Sequence, residues 1–107
     1  MVIEWLVIEV PIAQQVRFLQ VDEAIWTRFL RTCSGFVRKE VWIDPTQPTQ
    51  VIFVIHWHSR LLWKAIAPEQ LGAIDRQFVA TMGQVYPIIA AREFEIQEPL
   101  AETDYGN

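Results

Sequence analysis

Val51-Ile-Phe-Val-Ile-His-Trp-His58 is the stretch on which the fold turns. Eight residues dense in β-branched and aromatic side chains, preceded by a polar connection, read as a β-strand. Strand side chains alternate, so Val51, Phe53, Ile55 and Trp57 share one face, and Ile52, Val54, His56 and His58 share the other. Both faces are apolar at their centre. A strand of this kind is covered on two sides, and the search for its two covers organises the rest of the chain.

Upstream, Asp44-Pro-Thr-Gln-Pro-Thr-Gln50 is a polar connection with two prolines, suited to a hairpin loop. Before it, residues 36–44 form a strand with Val37, Val41 and Ile43 on one side and Phe36, Arg38, Glu40 and Trp42 on the other. Residues 2–10 form another, stopped by Pro11. Between these two, residues 13–31 carry apolar side chains at helical spacing. Phe18, Val21, Ile25 and Phe29 make one stripe, with Leu19, Trp26 and Leu30 beside it, and Ser34-Gly35 ends the helix.

Downstream, Ser59 caps a short helix through Ala65. Pro68 opens a second that runs to about Met82, with Leu71, Ile74, Phe78, Val79 and Met82 on one face and Gly83 as its stop. Residues 88–97 form the last strand. Residues 98–107, acidic and holding a Pro and a Gly, read as a frayed, flexible tail to a single domain over residues 1–97.

The order β-α-β-β-α-β is the split βαβ pattern of an α+β, ferredoxin-like sandwich, an antiparallel four-stranded sheet with its helices on one face. Leu6, Ile8, Val37, Val41, Ile43, Val51, Phe53, Ile55, Trp57, Ile88, Phe94 and Ile96 are then expected under the helices. The other face collects Ile3, Trp5, Val7, Phe36, Arg38, Glu40, Trp42, Ile52, Val54, His56, His58, Ile89, Ala91, Glu93 and Glu95. That second face is too apolar for water. A second copy of the chain is the simplest cover, since a two-fold axis lets one patch cover itself.

Composition agrees with this picture. Of 107 residues, 51% are hydrophobic and 21% charged, with five Trp, six Phe and two Tyr. Such a chain is not disordered. One cysteine, Cys33, excludes an internal disulfide framework and reads as a free buried thiol. A net charge of −4 with scattered Lys and Arg argues against nucleic-acid and anionic-membrane partners. No stretch is a signal peptide or membrane span, so a cytoplasmic protein is expected.

A closer likeness rests on Val2-Ile-Glu-Trp-Leu6, Asp22-Glu-Ala-Ile-Trp-Thr27, Gly35-Phe36, Lys39-Glu-Val-Trp-Ile43, Val54-Ile-His-Trp57 and Trp63-Lys-Ala-Ile66. With these segments the chain resembles the dimeric α/β-barrel superfamily, in particular the antibiotic-biosynthesis-monooxygenase-like domains. More narrowly it resembles a family of short proteins known mainly from cyanobacteria. The resemblance covers about residues 2–97 and implies a homodimer whose two sheets face each other across a barrel. Relatives that degrade haem resemble one another through an Asn, Trp and His set. Residues 59–83 here hold no His, and Asn107 is the only Asn, so this departure disfavours haem cleavage. No cofactor is implied by the remaining pattern.

Candidate site residues follow from the barrel face. His56 and His58, two apart on a strand, share it with Glu40 and Glu93. Two histidines at this spacing are far less specific than a zinc signature, and no metal is assigned. His56 is the candidate acid/base, because imidazole titrates near neutrality. Trp5, Arg38, Glu40, Trp42, His58 and Glu93 are expected to line a pocket or the dimer face. Glu4 stands out on an otherwise buried face, either paired with a helix residue or flanking an opening. Asp22 and Glu23 read as surface charges of the first helix or as carboxylates on a pocket rim. Two function classes are consistent with this reading. One is an enzyme or binder that holds or oxidises a small apolar molecule in the barrel cavity, cofactor-free and monooxygenase-like. The other is a non-catalytic dimeric structural or interaction module.

Overall fold

The computed structural model describes residues 1–98, so the expected tail lies outside the described residues apart from Glu98. Four strands, β1 (Val2–Glu9), β2 (Phe36–Ile43), β3 (Gln50–Trp57) and β4 (Ile88–Glu95), form one antiparallel sheet in the order β2-β3-β1-β4. Helical segments fill the two crossovers. The first holds α1 (Gln15–Asp22), a π-helical turn (Glu23–Thr27) and α2 (Arg28–Leu30). The second holds α3 (Arg60–Lys64) and α4 (Pro68–Met82). This is the ferredoxin-like α+β sandwich, with its helices on one face.

Three helix ends in the second crossover have a local cause. Ser59 caps α3 by accepting a hydrogen bond from the Leu62 amide at 3.1 Å. Pro68 starts α4, where its missing N–H costs nothing. Gly83 ends α4 in the left-handed region at φ 82°, which glycine enters without strain. The core has two centres. Phe18 is the hub of the first, stacked on Phe53 at 6.0 Å and edge-on to Phe78 and Tyr86 at 5.5 and 5.0 Å. Leu30, Ile55 and Trp57 form the second, with Trp63 stacked on Trp57 at 6.3 Å.

Two bulges decide which side chains reach which face. In β2, Phe36 and Arg38 pair with Trp57 and His56, so Val37 is an extra residue. Phe36 thereby joins the helix side, edge-on to Trp57 at 6.0 Å, and not the outer face that strict alternation predicts. In β4, Ile88 pairs with Ile8 and Ala90 with Val7, which leaves Ile89 as the extra residue. One inserted residue reverses every later side chain. Glu93 therefore stands on the helix side opposite Glu4, while Phe94 stands on the outer side opposite Ile3. The sequence-based placement of Phe94 under the helices, and of Ala91, Glu93 and Glu95 on the barrel face, is corrected accordingly.

Candidate functional site

The sheet divides the candidate residues between two places. The outer face holds three transverse rows: Arg38-His56-Ile3-Phe94, Glu40-Val54-Trp5-Arg92 and Trp42-Ile52-Val7-Ala90. Trp5, Arg38, Glu40, Trp42 and His56 are thus brought to one face, as expected. His56 Nε2 lies 2.8 Å from Glu40 Oε1, a diagonal cross-strand pair. The imidazole is 8% exposed, and its Nδ1 is buried with no hydrogen-bond partner. Trp5 meets Phe94 edge-on at 6.3 Å, and Arg92 lies 4.8 Å above the Phe94 ring. His58 lies beyond the end of β3 and is exposed. Among the described residues, no group of three or more His, Cys, Asp or Glu is placed to hold a metal.

A cavity of about 320 Å³ lies on the opposite side, between the sheet and the helices of the same chain. That volume suits a small organic ligand. His56 and Trp42, expected as acid/base and wall of a shared barrel pocket, do not line it. The sheet stands between them and the cavity. Glu93 lines an adjoining depression that meets the cavity at Glu4, Leu6 and Trp63.

The cavity walls are aromatic and aliphatic, with Trp26, Trp57 and Trp63 among them. Its polar groups are few. Glu4 projects from β1 into this apolar side and accepts a hydrogen bond from Trp57 Nε1 at 3.2 Å. Burial pushes the Glu4 carboxyl up from its ordinary value; the Trp57 hydrogen bond and the ammonium groups of Lys64 and Lys39 oppose this in part, while Glu93 adds to it. A carboxyl raised in this way exchanges its proton closer to neutrality than an exposed glutamate.

Across the cavity, Lys39 Nζ donates to Asp22 Oδ2 and, at 3.0 Å, to Thr27 Oγ1. It also lies 4.1 Å from the centre of the Phe53 ring. Asp22 and Thr27 are five residues apart. On an α-helix that spacing would turn them about 140° from one another. The π-helical turn between them, hydrogen-bonded from i to i+5, brings both toward Lys39. Asp22 is therefore buried, and its reading as a surface charge is corrected. Desolvation pushes its carboxyl up, against the pull of the Lys39 ammonium.

Alternation along β2 places Lys39 on the side of Val41 and Ile43. The signal was a lone cation on an apolar strand face matched to a lone carboxylate on an apolar helix face.

α3 shapes the mouth. It carries Trp63 against Trp57 and is tied to β4 by Arg60 Nε and Glu93 Oε1 at 2.9 Å. Gly35 packs so closely beneath it that a Cβ there would lie 2.5 Å from Leu62 Cβ. Cys33 is half-buried, and burial raises its thiol, which keeps the thiolate form scarce.

No family model and no curated protein matches this chain. Solved structures do. A monooxygenase from the gene ActVA-Orf6 of Streptomyces coelicolor, in complex with Nanaomycin D, superposes with a TM-score of 0.68 at 14% identity, over 94% of this chain and 90% of that one. A variant of SnoaB, a cofactor-independent oxygenase from Streptomyces nogalater, gives 0.66 at 15% identity over 94% and 97%. A Deinococcus radiodurans protein provisionally assigned as an antibiotic biosynthesis monooxygenase gives 0.67 at 18% identity over 94% and 97%. The chain has the fold of the antibiotic-biosynthesis-monooxygenase proteins.

Proposed function

We propose that the chain binds a small, flat, hydroxylated aromatic molecule in the cavity between sheet and helices, and oxidises it with dioxygen using Glu4 as proton acceptor. The observation that carries this reading is the Glu4 carboxyl, accepting a hydrogen bond from Trp57 Nε1 at 3.2 Å, set in a cavity walled by three tryptophans. Aromatic walls favour a flat ligand through stacking and edge contacts. The fold is shared with an oxygenase described as cofactor-independent. In such a reaction the substrate supplies the electrons. An aromatic C–H becomes a hydroxyl or carbonyl carbon, one oxygen atom stays with the product, and the other leaves as water. For a dihydroxynaphthalene, the products are a hydroxynaphthoquinone and one water.

The outer face belongs to a second copy in this reading. Trp42 is 49% exposed and Phe94 40%, on a face that also carries Trp5 and Ile52. A two-fold contact would cover these at once. Should the cavity prove inert, the same face supports the alternative of a non-catalytic dimeric module.

The test is titration of the protein with a dihydroxynaphthalene. Binding quenches tryptophan emission, because Trp26, Trp57 and Trp63 line the site. Oxygen uptake with quinone formation reports turnover. Glu4→Gln should keep the quenching and lose most of the turnover. Absence of quenching, or unchanged turnover in Glu4→Gln, would count against the proposal.

A further inference from the structure

The cavity holds a second polar feature that proton transfer at Glu4 does not use. Asp22 and Lys39 are each 5% exposed at the side chain. A buried ion pair is a poor way to stabilise a core, since matched apolar residues are commonly as good or better. This pair is also held by an irregular, π-helical turn, a feature common at functional sites. Two of the three Lys39 N–H donors go to Asp22 and Thr27, and the ammonium lies against Phe53, itself a wall of the cavity.

Register adds a ruler. Lys39, Ile55, Glu4 and Glu93 form one transverse row on the helix side of the sheet. Glu4 and Lys39 are two strands apart, about 10 Å between backbones. Only the apolar Ile55 stands between them. A molecule lying along this row meets a proton acceptor at one end and an ammonium at the other.

We infer that Lys39, positioned by Asp22 and Thr27, is the anion-holding group of the cavity, and that the ligand is a fused-ring aromatic with conjugated oxygens at opposite ends. This rests on the aromatic-ligand reading above. The O–H bond at the Glu4 end breaks heterolytically, and its proton passes to the Glu4 carboxylate. The electron pair stays with the ligand and spreads through the rings to the oxygen beside Lys39. The charged groups facing that oxygen are Lys39 with Asp22 against it, and Glu4 and Asp75 elsewhere on the cavity wall; Glu23, next to Asp22 in the chain, is exposed and paired with Arg31 at 2.6 Å.

A hydroxynaphthaldehyde with its two oxygens at opposite ends is the probe, because ionisation changes its absorption strongly. Its ionisation midpoint is measured while bound to the full-length protein and to variants. An opposite charge at contact distance typically moves such a midpoint by about 1–3 pH units. Lys39→Met should raise it by at least about one pH unit, roughly a tenfold loss of the bound anion at a given pH. Asp22→Asn should lower it, because the ammonium then lacks its counter-charge, and Lys39→Arg should hold it near the parent value. A merely structural pair would not move the midpoint in opposite directions. Midpoints that agree in the parent protein, Lys39→Met and Asp22→Asn overturn the inference and leave the cavity reading standing. If Lys39→Met does not fold, an unmoved midpoint in Asp22→Asn decides in the same way. Failure of the probe to bind at all removes the cavity reading and this inference together.

Discussion

Asp22 and Thr27 bind one ammonium, that of Lys39, from positions five residues apart on a helix whose intervening turn is π-helical. The pair is buried on the wall of a cavity and not at the protein surface.

Removing one partner should be costly and removing both should not. Lys39→Met leaves a buried carboxylate without its counter-charge and is expected to cost about 3–5 kcal/mol. The double change Asp22→Leu with Lys39→Met should restore parent stability or exceed it by about 1–4 kcal/mol. Urea denaturation of the four proteins of this cycle measures the coupling. Independent, additive losses would contradict it.

Glu4 should make stability depend on pH. Its folded carboxyl holds the proton more tightly than the unfolded chain does, because burial disfavours the charged form. Its contribution is fully present below the ordinary glutamate range and is lost as pH rises through the folded value. Glu4→Gln keeps an oxygen for Trp57 Nε1 and removes the titration. The variant should therefore be more stable than the parent in mildly alkaline buffer, with the advantage fading toward acid. Thermal melts across pH test the sign.

Gly35 should tolerate no side chain without cost at the cavity mouth. A Cβ at 2.5 Å from Leu62 Cβ pushes α3 outward and draws Trp63 off Trp57. Gly35→Ala should lose about 1–3 kcal/mol by overpacking. It should also weaken quenching by an aromatic ligand. Unchanged melting and unchanged quenching would show that α3 yields freely.

Trp42 tests the outer face. In the proposed dimer it is an aromatic anchor, and Trp42→Ala should cost about 2 kcal/mol or more of association, roughly a thirtyfold weaker dimer. Sedimentation velocity over a dilution series reads this directly. A chain that is monomeric before the change, or a dimer indifferent to it, would remove the two-fold cover from the proposal.

Much of the architecture was legible because it rests on periodicity. The β3 alternation, the helical stripe through Phe18 and Val21, the Ser59 cap and the Gly83 stop are all local patterns, and the observed elements follow them. Phe36 and Phe94 went to the wrong faces because a bulge is an insertion of one residue with no compositional mark strong enough to declare it. The cavity between sheet and helices was not legible, for a related reason. His56 and Trp42 drew attention as chemically able residues on one strand face, and they do share that face. The cavity, however, forms where helices fail to fill the opposite side, which depends on packing between distant segments. Glu4 was legible as an anomaly, a carboxylate on a buried strand face. Its counterpart Lys39 needed the π-turn, which shifts Asp22 and Thr27 out of α-helical phase.

The extra residue at Ile89 has a bearing on how this chain can be compared with others. Because it reverses the parity of everything after it in β4, a gain or loss of one residue there would exchange Glu93 and Phe94 between the two sides of the sheet. The carboxylate beside Glu4 would go to the outer face, and an aromatic ring would enter the depression at the cavity mouth. A single-codon insertion or deletion could thus exchange what the cavity mouth and the outer face present without disturbing the rest of the fold. Position-by-position alignment across this strand is meaningful only after the bulge has been counted.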